Sequence, residues 1–94
     1  MYYVYIIYSA KYNKIYKGLS LNIKQRIKEH NYGNVESTKH GRPWKLIYCE
    51  IFINKKDAQS EEKFLKTGKG RERIKYLLQE TLKKQIKKES MSFG

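Results

Sequence analysis

The chain has 94 residues, which suffices for one domain with a modest core and makes two domains implausible. Its 21 lysines and arginines against nine acids give a net charge of +12, which favours a polyanionic partner but does not distinguish DNA, RNA or an anionic surface. No apolar run is long enough for a transmembrane helix, and the N-terminus lacks a signal-peptide pattern. The single cysteine excludes an internal disulfide, argues against a structural zinc site and predicts a cytoplasmic location.

Two segments rich in tyrosine and isoleucine, 2–8 and 15–19, predict a β-hairpin joined by a polar loop. Side chains alternate along a strand, so Tyr3, Tyr5 and Ile7 share one face of the first strand. Both faces of that strand are apolar or aromatic, so we expect it to be central and covered on both sides. The tyrosine hydroxyls need water or a partner, and we expect some of them to meet at a reactive site.

A helix is predicted from about residue 23 to 31, after a segment with helix-capping side chains. Ile23 and Ile27 define its apolar stripe. His30 falls on the same side of the helix, and Arg26 lies at the edge of the stripe, one turn before His30. These two polar residues are therefore predicted to face the body of the protein.

The stretch 32–44 is predicted to be a loop because it is rich in glycine, asparagine and proline. Its C-terminal part mixes cations with Trp44, a composition suited to nucleic acid. An equally good interpretation is that Trp44 pins a surface loop to the core, and the two roles are compatible.

A third strand is predicted over 46–53, followed by a capped helix. Within that helix Ala58, Glu62 and Leu65 recur at i, i+4 and i+7, so Glu62 is predicted to face inward between apolar neighbours. An ionised carboxylate in that position is costly unless a cation or a hydrogen-bond donor meets it. Glu62 is therefore the most suggestive single position, and an ion pair with Arg26 is its alternative interpretation.

The C-terminal quarter is predicted to contain a helix break over 67–70 and a last helix beginning near Arg71. The apolar side of this helix consists of Ile74, Leu77, Leu78, Leu82 and Ile86. We expect residues 1–88 to form a single domain, with 89–94 as a frayed tail.

In this order, the hairpin, the Arg-bearing helix, the third strand and the Glu-bearing helix resemble the GIY-YIG nuclease domain. The closest resemblance is to small stand-alone members related to the nuclease domain of the bacterial excision-repair endonuclease. The two halves of the family signature appear as Tyr3-Val4-Tyr5 and Tyr16-Lys17-Gly18, ten residues apart. The other resembling segments are 26–31, 41–46, 58–66 and 68–72. The chain departs from the family pattern at Tyr3, Lys17 and Leu19.

The resemblance implies an α+β fold with a three-stranded antiparallel sheet flanked by helices, in the order ββαβαα. It also implies a Mg²⁺-dependent endonuclease, with Mn²⁺ able to substitute, that cuts DNA, including structured or branched DNA, in repair or processing. On this resemblance Glu62 is the sole protein ligand of the metal, Arg26 contacts the scissile phosphate, Tyr5 and Tyr16 position or activate the water, and His30 lies near it. The expected nucleic-acid-binding residues are Lys17, Lys39, Arg42, Trp44, Lys66, Lys69 and Arg71. No membrane partner is expected, and the oligomeric state is open.

These residue types suit phosphodiester hydrolysis. Mg²⁺ commonly keeps several waters and uses one or two carboxylates, and arginine offers phosphate a permanently charged fork of donors. Tyrosine has an ordinary pKa of about 10 and histidine one of about 6.5, so we expect a hydrogen-bonded tyrosine–histidine pair around the water, with the final proton acceptor left open.

Each candidate residue also has a plainer interpretation as a strand tyrosine, a solvated cation or a core histidine. Two other functions therefore compete with catalysis. One is a non-catalytic nucleic-acid-binding module on the same scaffold, and the other is a basic protein associated with ribosomes or RNA. A protein that only binds would not require Glu62 on the inner stripe of its helix.

Overall fold

The computed structural model describes residues 1–89, with side chains as far as Lys84. Strands β1 (Tyr2–Ser9) and β2 (Lys14–Ser20) form the predicted hairpin, and β3 (Trp44–Phe52) pairs antiparallel with the other edge of β1. The sheet order is β2-β1-β3, so β1 is central, as predicted. Residues 4–7 of this strand are fully buried because other elements cover both of its faces.

Helices flank the sheet, which confirms the predicted α+β class. They are α1 (Ile23–Tyr32), α2 (Lys55–Leu65), α3 (Gly68–Leu77) and α4 (Gln79–Glu89), with a short 3₁₀ helix at Lys39–Gly41 inside the predicted loop. Asn22 caps α1 by accepting a hydrogen bond from the Gln25 N–H at 3.1 Å. Asn54 caps α2 in the same way, as predicted. Helix α1 ends at Gly33, whose φ of +83° is a left-handed conformation that favours glycine.

The last predicted helix has different bounds in the structure. It begins at Gly68 rather than near Arg71, because Thr67 caps it and accepts a hydrogen bond from the Gly70 N–H at 3.0 Å. A Cβ at Gly70 would overlap the backbone of Phe64. This glycine therefore permits the close approach of α3 to α2 and does not break a helix.

The same predicted helix is divided at Leu78, where φ is −112° and ψ is 23°. The division lets Ile74, Leu78 and Leu82 all reach the core, where each is buried, whereas Leu77 is 37% exposed. The side chain of Ile86 and residues 90–94 of the predicted tail lie outside the described part of the chain. No helix within residues 1–89 has the length and hydropathy needed to cross a membrane.

The two faces of the sheet pack against different cores. The first core lies under α2, α3 and α4 and contains Val4, Ile6, Ala58, Leu65, Ile74, Leu78 and Leu82. The second lies under α1 and the 3₁₀ helix and contains Tyr5, Ile7 and Trp44, with Tyr16, Ile23 and Ile27 packed against it. A register shift in the pairing of β1 with β3, between Ile6 and Ile7, lets two consecutive residues, Ile47 and Tyr48, pack against the first core.

Candidate active site

Tyr5 is the centre of the second core, and Gly18 makes room for it. The two residues are directly opposite each other on β1 and β2. A Cβ at position 18 would overlap the ring and hydroxyl of Tyr5. The glycine that ends the second half of the signature is therefore required by the close approach of the Tyr5 ring.

His30 forms a hydrogen bond with the Tyr5 hydroxyl. The ring of His30 is fully buried, and its Nε2 lies 2.8 Å from Tyr5 Oη. On the other side of the ring, Nδ1 lies 2.7 Å from Thr38 Oγ1. Tyr16 contacts the same imidazole edge-on, with 5.2 Å between ring centroids. The structure thus brings Tyr5, Tyr16 and His30 together.

Arg26 lies one turn before His30 on α1 and is partly exposed. Its Nη1 donates a hydrogen bond to Glu29 Oε1 at 2.9 Å, and both side chains are 34% exposed. This pairing replaces the ion pair with Glu62 that was the alternative interpretation of that acid. The guanidinium is close enough to Tyr5 and His30 to alter the pKa of both.

The electrostatics of the site keep both hydrogen-bonded groups neutral. Burial raises the pKa of Tyr5 above its ordinary value of 10.0, the Arg26 guanidinium lowers it, and Tyr16 and Glu62 raise it. Burial, with a further contribution from Arg26, lowers the pKa of His30 to about 4. A neutral imidazole can accept a proton through one nitrogen and donate one through the other.

Glu62, the predicted metal ligand, lies on α2. Its side chain is 24% exposed, and its Oε2 accepts a hydrogen bond from Lys66 Nζ at 3.2 Å, one turn further along the helix. Its predicted neighbours on the apolar stripe, Ala58 and Leu65, are fully buried, whereas Glu62 itself is partly exposed. The Glu62 charge contributes to raising the pKa of Tyr5, so the carboxylate is within electrostatic reach of the Tyr5 hydroxyl, although α2 packs against the other core of the sheet.

The donor set around Glu62 fits only one kind of metal site. Within the described residues, no three histidine, cysteine or acidic side chains form a group that could hold an ion. A fully protein-coordinated cage is therefore absent from this part of the chain. A single accessible carboxylate does suit Mg²⁺, which keeps several waters and takes further oxygens from a substrate phosphate.

Three of the predicted nucleic-acid-binding residues form a cationic cluster, made of Lys17, Lys66 and Arg71. Burial lowers the pKa of Lys17, and the charges of Arg71 and Lys66 lower it further. Arg71 is held in place by donating from Nη1 to the Lys66 carbonyl at 3.1 Å. Lys69 is exposed in the first turn of α3. Lys66 also contacts Glu62, so the cluster borders the candidate metal ligand.

A second cationic surface lies at the end of α1. Lys39 and Arg42 line an open pocket together with Lys11, Asn31, His40 and Pro43. Arg42 donates from Nε to the Lys39 carbonyl at 2.6 Å, and its guanidinium lies against Gly33. Lys39 also pairs with Glu36.

Trp44 does not belong to either cationic surface, which corrects its prediction as a nucleic-acid-binding residue. Its side chain is only 8% exposed, and its Nε1 donates to the Thr38 carbonyl at 2.7 Å. The ring edge contacts Tyr16 at a centroid distance of 6.4 Å. Trp44 therefore pins the loop to the core, the second of its two interpretations, and its ring is too buried for a base to stack on.

Two residues of the site carry no signal that sequence reasoning detected. Thr38 lies in the loop and contacts His30 only through the fold. Asn31 binds the backbone of Trp44 twice, accepting from its N–H at 2.6 Å and donating to its carbonyl at 3.1 Å. Neither residue has a periodic position. Asn31 falls within the resembling segment 26–31, but its contact with Trp44 depends on how the loop folds back onto α1.

Comparison with known proteins agrees with this geometry. Residues 1–77 match the model of the GIY-YIG catalytic domain. The tyrosine pair on the hairpin, the Arg26–His30 helix and the Glu62 helix all lie within that span. The chain therefore belongs to the GIY-YIG family, and this membership supports a nuclease that hydrolyses nucleic acid.

The most similar relatives include small bacterial proteins of comparable length. The chain is 36% identical over 86 residues to a UPF0213 protein of Clostridium perfringens, which covers 90% of this chain and 91% of the relative. It is 40% identical over 80 residues to a UPF0213 protein of Limosilactobacillus reuteri, with 82% of each chain covered. No solved structure matches the chain closely enough to be compared with it.

Proposed function

We propose that this protein is a Mg²⁺-dependent endonuclease that hydrolyses phosphodiester bonds of DNA in repair or processing. The observation that carries the proposal is the buried hydrogen bond between Tyr5 and His30, 2.8 Å long, beside an arginine and within electrostatic reach of Glu62. A protein that only binds DNA has no need of such a pair, because affinity comes from surface cations. The alternative, a binding module without activity, is therefore an outcome of the test below.

The chemistry divides among these residues as follows. Arg26 contacts the scissile phosphate and neutralises part of its charge. Glu62 would hold Mg²⁺, which would polarise the phosphate and stabilise the departing oxygen. The water oxygen forms the new bond to phosphorus while the bond to the 3′ oxygen breaks, leaving a 5′-phosphate and a 3′-hydroxyl. Tyr16, packed against the imidazole, orients the water.

Tyr5 is fully buried in the free protein, so we propose that DNA binding admits the attacking water to its hydroxyl. The proton of that water then moves to Tyr5 Oη as the tyrosine passes its own proton to His30 Nε2. Burial, and after it the charge of Arg26, hold the pKa of His30 near 4. A bound phosphate offsets the charge of Arg26, so the substrate itself makes His30 a better proton acceptor. The weak basicity of His30 in the free protein is thus compatible with its role during the reaction.

DNA is the substrate that the surface charge favours. The Lys17, Lys66 and Arg71 cluster borders Glu62, and the second cationic surface lies beyond His30 at the end of α1. Together they would contact phosphates on both sides of the scissile bond. Because these contacts address phosphates and not base edges, we propose recognition of DNA shape, including structured or branched forms.

The proposal is tested with two neighbouring glutamates of α2. Glu62→Gln is expected to reduce Mg²⁺-dependent nicking of supercoiled plasmid by about 10³-fold or more, while DNA affinity measured in EDTA is retained. Glu61→Gln is the matched control, because it removes an adjacent carboxylate from the same helix and should leave nicking unchanged.

Equal activity of Glu62→Gln and the wild type would remove the proposed metal ligand. DNA binding by the wild-type protein without cleavage in Mg²⁺ or Mn²⁺ would establish the binding-module alternative. Competition between duplex DNA and structured RNA in the same binding assay would show whether RNA is the preferred ligand.

A further inference from the structure

The contacts around His30 determine where its single ring proton resides. Tyr5 is fully buried, so its hydroxyl proton needs an acceptor within the protein. The neighbouring Arg26 cannot be that acceptor, because a guanidinium only donates hydrogen bonds. Within the described residues, the one acceptor that the Tyr5 hydroxyl contacts is His30 Nε2, at 2.8 Å. Nε2 must therefore carry no proton.

The position of the proton on the other nitrogen follows. Burial lowers the pKa of His30 to about 4, so the ring is neutral and carries one proton. That proton lies on Nδ1 and is donated to Thr38 Oγ1 at 2.7 Å. The threonine hydroxyl in turn donates to the Val35 carbonyl at 3.4 Å. The Tyr5 hydroxyl, both His30 nitrogens and the Thr38 hydroxyl then all have hydrogen-bond partners.

We propose that Thr38 is a positioning residue that fixes His30 in the tautomer with its proton on Nδ1 and leaves Nε2 to accept the Tyr5 proton. Thr38 suits this role because it is 1% exposed and its own position is fixed. Its carbonyl accepts a hydrogen bond from Trp44 Nε1 at 2.7 Å, and its N–H donates to the Val35 carbonyl at 3.1 Å. The hydroxyl is thus held rigidly against the ring.

The consequence for catalysis rests on the proposed function. With the proton on Nδ1, Tyr5 can release its proton to His30 in the same movement in which it receives one from water. With the proton on Nε2, the imidazole would donate to Tyr5 Oη and could accept nothing from it. The tautomer therefore decides whether the pair acts as a base. The strand residue Tyr5 requires an unprotonated Nε2, and the loop residue Thr38 holds the ring proton on Nδ1.

Nuclear magnetic resonance of the metal-free protein tests the tautomer directly. Long-range ¹H–¹⁵N spectra distinguish protonated from unprotonated imidazole nitrogens. The chain has two histidines, and His40→Gln assigns the signals. For His30 we expect Nδ1 protonated and Nε2 unprotonated at pH 7. The opposite pattern in the wild-type protein would overturn the proposal, whether or not the protein cleaves DNA.

Three variants test the part played by Thr38. Thr38→Val removes the hydroxyl at nearly constant volume, and we expect loss of the pure Nδ1–H state and a kcat lower by about 10- to 100-fold with little change in KM. Thr38→Ser keeps the hydroxyl and should restore both the tautomer and kcat. Thr38→Ala is the second hydroxyl-free variant, to be used if valine prevents folding.

Ser9→Ala controls for loosening of the same loop. The Ser9 hydroxyl is buried and donates to the Gly41 carbonyl at 2.6 Å, so its removal should lower stability without changing the His30 tautomer. A hydroxyl-free variant at position 38 that keeps the Nδ1–H tautomer and normal kcat would overturn the role of Thr38. An inactive wild-type protein with the expected tautomer would instead contradict the proposed function alone.

Discussion

The two faces of the sheet differ in whether their buried polar atoms have hydrogen-bond partners. On the face under α1, the hydroxyl of Tyr5, both nitrogens of His30 and the hydroxyl of Thr38 form a continuous chain of hydrogen bonds. On the face under α2, Glu50 of β3 is paired with Val4, a residue of the first core. Its Oε1 is buried and has no hydrogen-bond partner among the described residues.

Glu50 alters the pKa values of two neighbouring side chains. A proton shared with Glu50 raises the pKa of Glu61 to about 7, and burial and the charge of Glu50 act in the same direction. Burial, and then Glu50, raise the pKa of Tyr48 to about 12. The satisfied network around His30 holds each group in one protonation state, whereas the Glu50–Glu61 carboxyl pair titrates near neutral pH. The first arrangement suits a reacting group, and the second lowers stability at high pH.

Removing one tyrosine hydroxyl from each face should give the largest contrast. Tyr5→Phe removes the group that contacts His30, and we expect the rate of plasmid nicking to fall by about 10²- to 10⁴-fold. It also leaves His30 Nε2 buried without a partner, which should cost about 1–3 kcal/mol of stability. Tyr48→Phe is the matched control and should leave the nicking rate unchanged. Equal losses in both variants would show that activity reflects sheet stability alone.

Much of the fold could be predicted from the sequence because the relevant signals are local. The alternation of apolar residues on β1 predicted a central strand covered twice, and the two asparagine caps predicted the starts of α1 and α2. The last helix was less predictable. Its continuous apolar stripe does not reveal the bend at Leu78, which packing imposes, and Gly70 suggests a helix break although it serves a close helix contact.

The candidate site was predictable only in part. Arg26, His30 and Glu62 stand out because polar residues near an apolar stripe are unusual. Thr38 could not be found in this way, since its role depends on a hydrogen bond to a ring eight residues earlier in the chain. For Trp44, composition left a choice between stacking on nucleic acid and packing in the core, and burial favours the core.

The hydrogen-bonded network around His30, on the face under α1, should lose stability in acid. The pKa of His30 in the folded protein is about 4, below its ordinary value of 6.5, so between these pH values only the unfolded chain binds this proton. The stability contributed by the neutral ring is therefore present above pH 6.5 and lost as the pH falls toward 4. We expect the stability difference between the wild type and His30→Gln to narrow by about 3 kcal/mol over this range, measured by denaturant unfolding in EDTA. A difference that is independent of pH would contradict the burial of a neutral imidazole.

The Glu50–Glu61 pair, on the face under α2, should lose stability as the pH rises, and the change in stability should be smaller than that around His30. Because the pKa of Glu61 is raised to about 7 in the folded protein, its stabilising proton is fully bound below its ordinary pKa of 4.5 and lost as the pH rises through 7. Glu50→Gln removes the neighbouring charge and supplies an amide donor. We expect it to stabilise the protein by about 1 kcal/mol at pH 8 and to have little effect at pH 5.

The stability of Glu50→Gln is also measured by denaturant unfolding in EDTA. Glu72→Gln, on the exposed side of α3, is the control for the loss of a surface acid. A Glu50→Gln protein that is less stable than the wild type at pH 8 would mean that the Glu50 charge has a stabilising partner. Arg73, whose charge lowers the pKa of Glu61, is the nearest candidate for that partner. In that case the buried polar groups of both faces would have stabilising partners. The two faces would then differ only in that the groups under α1 take part in the proposed reaction.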